Sequence, residues 1–140
     1  MTLLCTTLAA FASSLLANFL AERLTAPVAI IGDFVRLRLI HNPYIAFSIA
    51  LPAMLQTVLI LGALIAVAAV ALRAKDRESR IAFGLILGGA LANILDRFSD
   101  GLVTDYIAVG TFPVFNAADI WISLGAGLLI LDGLLAKKRH

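Results

Sequence analysis

A chain of 140 residues that is 61% hydrophobic and 14% charged, with a mean hydropathy of +1.00, falls outside the soluble globular class, where about a quarter of residues are charged. Its formal net charge of +2 comes from dispersed basic residues and excludes a nucleic-acid partner. The one cysteine, Cys5, excludes an internal disulfide and a multi-cysteine metal site, and reads as a plain membrane-buried thiol. These numbers predict an all-α membrane protein of one domain, residues 1–140, with no internal repeat.

Four apolar segments follow in chain order, at about 3–20, 46–72, 81–98 and 117–135. Each approaches or exceeds the ~20 apolar residues needed to cross ~30 Å of hydrocarbon. The first lacks a basic leader and reads as a retained helix rather than a signal peptide. Between the first two, Phe34-Val35-Arg36-Leu37-Arg38-Leu39 alternates apolar and basic residues, the period of a half-exposed strand. An interfacial loop whose arginines meet lipid headgroups is the alternative. The expected fold is four transmembrane helices with this small β element outside the membrane.

Basic residues set the orientation. Arg73, Lys75, Arg77 and Arg80 separate segments two and three, and Lys137, Lys138 and Arg139 follow segment four. In a four-helix topology both groups share one side, the cytoplasmic side, together with both termini. The connections 21–45 and 99–116 are then extracytoplasmic, and carry the more scattered Arg23, Arg36 and Arg38, with Arg97 at their edge.

The polar residues that bear chemistry all fall toward that outer side. His41-Asn42-Pro43-Tyr44 leads into segment two. Gly88, Gly89, Ala90 and Ala92 are small enough for a neighbouring helix to approach closely. Asn93 and Arg97, four residues apart, share a helical face and can point into the bundle. Asp96 beside them reads as a structural polar residue that pairs with a cation. Asp105 lies in the loop beyond segment three, where a solvated turn residue is the plainer reading. Asn116 suits a helix N-cap, and Asp119 three positions later suits an acidic first turn, so dipole complementation alone could account for Asp119. An intramembrane acid is nevertheless a functional signal by default. Two carboxyls held close together share one proton, the working state of an aspartic peptidase.

These motifs resemble those of the lipoprotein signal peptidases (signal peptidase II), intramembrane aspartic peptidases of bacteria. The likeness runs from about residue 18 to about 132. Residues 88–97 match Gly-Gly-Ala-x-Gly-Asn-x-x-Asp-Arg, with Ala92 for a glycine. Residues 103–107 match Val-x-Asp-Phe-Ile, with Tyr106 for phenylalanine, and residues 115–119 match Phe-Asn-x-Ala-Asp. The resemblance implies that Asp105 and Asp119 are the catalytic dyad, and that Asn42, Asn93, Arg97 and Asn116 support it or bind substrate. It implies a diacylglyceryl-modified prolipoprotein substrate, cleaved just before the lipidated cysteine. It further implies no metal or other cofactor, a monomer among membrane lipids in the bacterial cytoplasmic membrane, and an active site near the outer face. A small sheet and a mobile segment over the site are also implied.

The chain departs from the pattern elsewhere. Asn18 and Glu22 stand where an Asp-x-x-Thr-Lys motif has its acid and its lysine, and Tyr44 replaces a glycine where substrate backbone would pass. These departures motivate a second reading, a non-catalytic relative that binds lipidated peptides. A third, a small proton-coupled transporter, would be expected to carry an acid at mid-membrane.

Overall fold

The structure is a computed structural model that describes residues 1–43 and 53–137. Tyr44 and the expected start of segment two lie outside the described residues, as do Lys138 and Arg139. Seven elements follow in the order α1 (Thr2–Ala21), β1 (Val28–Ile31), β2 (Val35–Asn42), α2 (Ala53–Ala71), α3 (Arg77–Asp100), β3 (Val103–Val109) and α4 (Ala117–Lys137). It is a mostly helical membrane protein with one small sheet. Helices α1, α3 and α4 are long and apolar enough to cross a membrane, and α2 adds the shorter apolar stretch Leu55–Ala71.

The bundle is packed the opposite way round from a soluble protein. Large apolar side chains such as Leu16, Ile65 and Ile130 face outward. The interior is made of small and polar residues, among them Ala10, Ser14, Ala82, Ala92 and Ala118. Lipid is as apolar as leucine, so helices there gain from close backbone approach and interhelical hydrogen bonds. A Cβ on Gly88 would strike the backbone of α1 at Thr7, and one on Gly89 would sit 2.5 Å from the Ala118 carbonyl oxygen of α4. These two adjacent glycines therefore let α3 contact α1 on one side and α4 on the other. Trp121 Nε1 donates to Ser13 Oγ at 3.0 Å and joins α4 to α1. Cys5 stands on the outward side of α1.

Helix α3 is bounded by its own sequence. Asp76 is the N-cap and accepts from the Ser79 amide at 2.6 Å. Gly101, at φ 84°, closes the other end in the left-handed conformation that favours glycine, and donates to the Arg97 carbonyl at 2.8 Å. The chain can then turn directly into β3.

The sheet is antiparallel in the order β1-β2-β3. The expected strand at 34–39 is β2, the central strand, and it runs on to Asn42. Asp105 lies on β3, which corrects its assignment to a loop. Its segment is too short and too mixed in polarity to announce a strand without the partner strand. Pairing runs Leu37 to Ile107 and then Ile40 to Asp105, so one extra residue is accommodated in β2 between those pairs. That bulge reverses the phase of the side chains. Arg36 and Arg38 are exposed before it and His41 after it. Asn42 consequently faces the same side as Val103 and Asp105, while His41 and Thr104 face the other.

Candidate active site

Asp105 and Asp119 arrive from different elements at the same end of the bundle. Phe115 binds them into one unit. Its carbonyl accepts from the Tyr106 and Ile107 amides at 3.0 and 2.8 Å, and its own amide donates to the Ile107 carbonyl at 3.1 Å. The residue before the Asn116 cap is thereby hydrogen-bonded to the strand that carries Asp105. Asn116 comes next and is fully buried.

Asn116 and Asp119 form a reciprocal cap. The Asp119 amide donates to Asn116 Oδ1 at 3.0 Å, and the Asn116 amide donates to Asp119 Oδ2 at 3.2 Å. Asn116 Nδ2 faces away from the helix and donates to Asp105 Oδ1 and to Asn93 Oδ1, both at 3.0 Å. Asn93 Nδ2 in turn donates to Asp119 Oδ1 at 2.9 Å. Asn42 Nδ2 donates to Asp105 Oδ2 at 2.8 Å. Each carboxylate therefore accepts at least two hydrogen bonds, and Asn116 serves both.

The dipole role expected of Asp119 is present, but it accounts for one oxygen; the other is held by Asn93 from α3. Arg97 lines the same groove as both acids. Asp96 points elsewhere. Its Oδ2 accepts from the Thr104 amide at 2.6 Å and from Asn18 Nδ2 at 3.3 Å. These two hydrogen bonds come from neutral donors, one of them a backbone N–H brought to Asp96 by the strand turning back from Gly101, and they fit the structural role expected of it.

The groove has a volume of about 840 Å³ and is open to the outside. Asn42, Asn93, Arg97, Asp105 and Asp119 supply its polar patch. Ile60, Ile94, Phe112, Phe115, Ile120 and Leu124 supply apolar walls. A few polar groups in an apolar cleft is the common design of a ligand site. A recess of about 50 Å³ between α2 and α3 shares Ile60, Ile94 and Arg97 with it. Among the described residues, no group of three or more His, Cys, Asp or Glu side chains is placed to hold a metal ion.

Burial pushes the Asp105 carboxyl up to about 6, and the nearby charge of Asp119 adds to the rise. The amides of Asn42 and Asn116, and the charge of Arg97, pull the other way. Burial also raises the Tyr106 phenol. Its hydroxyl oxygen accepts from the Ala117 amide at 3.1 Å, covering a donor at the first turn of α4. An acid with a raised pKa beside a second acid is the arrangement in which one proton is shared and a water can be activated.

A family model described as signal peptidase (SPase) II matches residues 4–135. The chain belongs to the signal peptidase II family. A lipoprotein signal peptidase of Rhodococcus jostii (strain RHA1) is 42% identical over 119 residues, covering 80% of this chain and 60% of that protein. One of Pasteurella multocida (strain Pm70) is 50% identical over 72 residues, covering 49% of this chain and 42% of that protein. The chain thus spans 60% or less of the length of these relatives. The fold is that of a bacterial membrane enzyme solved by the in meso method at 2.3 Å, with a TM-score of 0.86, 23% identity and coverage of 99% of this chain and 90% of that one. A second such structure, at 1.9 Å, gives a TM-score of 0.81 at 23% identity, covering 95% and 92%.

Four contributors to the site had no role in the sequence reading. Tyr106 figured there only as a replacement for phenylalanine, and Asn18 and Glu22 only as departures from a motif. Thr104 was unmarked. Their shared signal is proximity in sequence to Asp105 or to the family's motif at the end of α1.

Proposed function

We propose that this family member is an aspartic endopeptidase that removes the signal peptide from diacylglyceryl-modified prolipoproteins, cutting just before the lipidated cysteine. The observation that carries the reading is the single buried amide of Asn116, bonded to Asp105 and capped against Asp119. A capping role alone needs only Asp119. A link to a second acid, with Asn93 and Asn42 closing the network, is what a proton-sharing pair needs.

In the proposed cycle one aspartate is ionised and takes a proton from a water in the groove. The other carries the proton and donates a hydrogen bond to the scissile carbonyl oxygen. The proton belongs to the pair rather than to either residue. Attack by the water's oxygen gives a tetrahedral diol. Its collapse breaks the C–N bond as a proton passes to the leaving amine. Arg97 holds the substrate strand, and the apolar walls take the acyl chains, whose buried methylenes contribute about 0.8 kcal/mol each.

The same reading places the chain in the bacterial cytoplasmic membrane, with both termini cytoplasmic and the groove near the outer face. It also makes the chain sufficient as a monomer, because both acids and their hydrogen-bonding partners come from one copy. The test is cleavage of a diacylglyceryl-modified prolipoprotein in detergent or bilayers, by wild type beside Asp105→Asn and Asp119→Asn, with helicity checked for each. Cleavage abolished in both variants is the expected result. A folded wild type that cuts no lipobox sequence would overturn the reading in favour of a binding protein.

A further inference from the structure

Behind the groove, the end of α1 meets the back of the sheet. Glu22 Oε1 accepts from Thr104 Oγ1 at 3.2 Å and lies 2.9 Å from His41 Nε2. His41 and Thr104 are paired across β2 and β3. The next residues along the two strands are Asn42 and Asp105, whose side chains join at 2.8 Å on the groove side. One turn earlier on α1, Asn18 donates to Asp96, the carboxylate that also holds the Thr104 amide. Residue 104 is therefore held through its backbone by Asp96 of α3 and through its side chain by Glu22 at the end of α1.

We propose that Glu22 is a positioning residue, which fastens β2 to β3 one residue away from the Asn42–Asp105 hydrogen bond and so sets where the Asp105 carboxylate sits. The proposal rests on the peptidase reading above. It also gives a physical reason for the departures at the end of α1. Thr104 Oγ1 donates to the Glu22 carboxylate and His41 Nε2 lies within hydrogen-bond distance of the same oxygen, so one carboxylate contacts both strands. Glu22 and His41 are each near half exposure, at 46% and 43%, so the cluster adds little to the stability of the bundle. Its effect is geometric, because a misplacement of about 1 Å at a reacting group costs up to about a hundredfold in rate.

The experiment measures kcat and KM of the full chain in detergent on a diacylglyceryl-modified lipobox peptide. The proteins are wild type, Glu22→Ala, Glu22→Gln, Thr104→Val and the Glu22→Ala/Thr104→Val double variant. Glu22→Ala is expected to lower kcat about tenfold with KM changed less than about twofold. Glu22→Gln keeps an acceptor oxygen and recovers most of the loss, and the double variant is no slower than Glu22→Ala. Hydrogen exchange at the Asn42 and Asp105 amides should quicken in Glu22→Ala. Wild-type kcat in Glu22→Ala, or an equal loss in Glu22→Gln, would overturn the proposal. Should wild type cleave nothing, the peptidase reading fails instead. The exchange measurement then judges Glu22 alone, and unchanged exchange at these amides overturns its role.

Discussion

The side-chain amide of Asn116 donates to Asp105 at 3.0 Å while its oxygen caps the helix that begins with Asp119. One side chain thus does two jobs that substitution can separate. Asn116→Ser retains a capping oxygen and loses the donor to Asp105. Asn116→Ser leaves the buried Asp105 Oδ1 and Asn93 Oδ1 without this donor and is expected to cost about 1–3 kcal/mol, and Asn116→Ala about 1 kcal/mol more for the lost cap. Both lower kcat, by about a hundredfold, since both remove a positioned donor. Thermal unfolding in detergent beside a cleavage assay checks both statements.

The raised carboxyl of Asp105 predicts a pH dependence of activity. In the proposed mechanism the pair works with one proton, and burial raises the Asp105 carboxyl to about 6 in the free protein. The alkaline limb of kcat/KM is therefore expected near pH 6. It lies higher in kcat, because bound substrate expels water and disfavours the second charge. Asn42→Ala removes a donor that favours the ionised form, so its limb moves to higher pH. A limb in Asn42→Ala at or below that of wild type contradicts this.

The same shift affects stability. Between pH 3.8 and about 6 the folded protein binds the Asp105 proton more tightly than the unfolded chain does. The contribution is fully present below 3.8 and is lost as pH rises through about 6. Asp105→Asn cannot titrate, so its thermal midpoint should fall less than that of wild type across this window.

Tyr106→Phe removes the acceptor of the Ala117 amide without changing the ring. An unsatisfied backbone donor costs about 1–3 kcal/mol when buried. A loss within that range is expected at this part-buried helix end, with cleavage retained, because no hydrogen bond to either aspartate is removed. Thermal midpoints and cleavage rates of the two proteins measure it.

Gly89 tests the contact between α3 and α4, the helices that carry Asn93 and Asp119. A Cβ there would sit 2.5 Å from the Ala118 carbonyl oxygen and 2.9 Å from Ile122 Cγ1, so α3 and α4 must part. Gly89→Ala is expected to cost about 1–3 kcal/mol and to lower cleavage by separating Asn93 from Asp119. Gly62→Ala meets nothing within 4 Å and should leave both unchanged. Melting curves and initial rates of the two variants decide the point.

Much of this protein was legible in its residues. The apolar segments, the alternation in β2, the small residues of α3 and the cap at Asn116 are local patterns, readable because they depend on near neighbours along the chain. Motif likeness singled out Asp105 and Asp119 in the same way. What only the tertiary structure decided depends on distant pairings. Asp105 stands on a strand because β2 pairs with it, and Asn42 faces it because a bulge reverses the phase of β2. Glu22 gains its partners His41 and Thr104 from strands 19 and 82 residues away. No local periodicity encodes such contacts. A one-residue change of register turns every side chain of a strand to the opposite face, and that register is set by the partner strand rather than by the strand's own sequence.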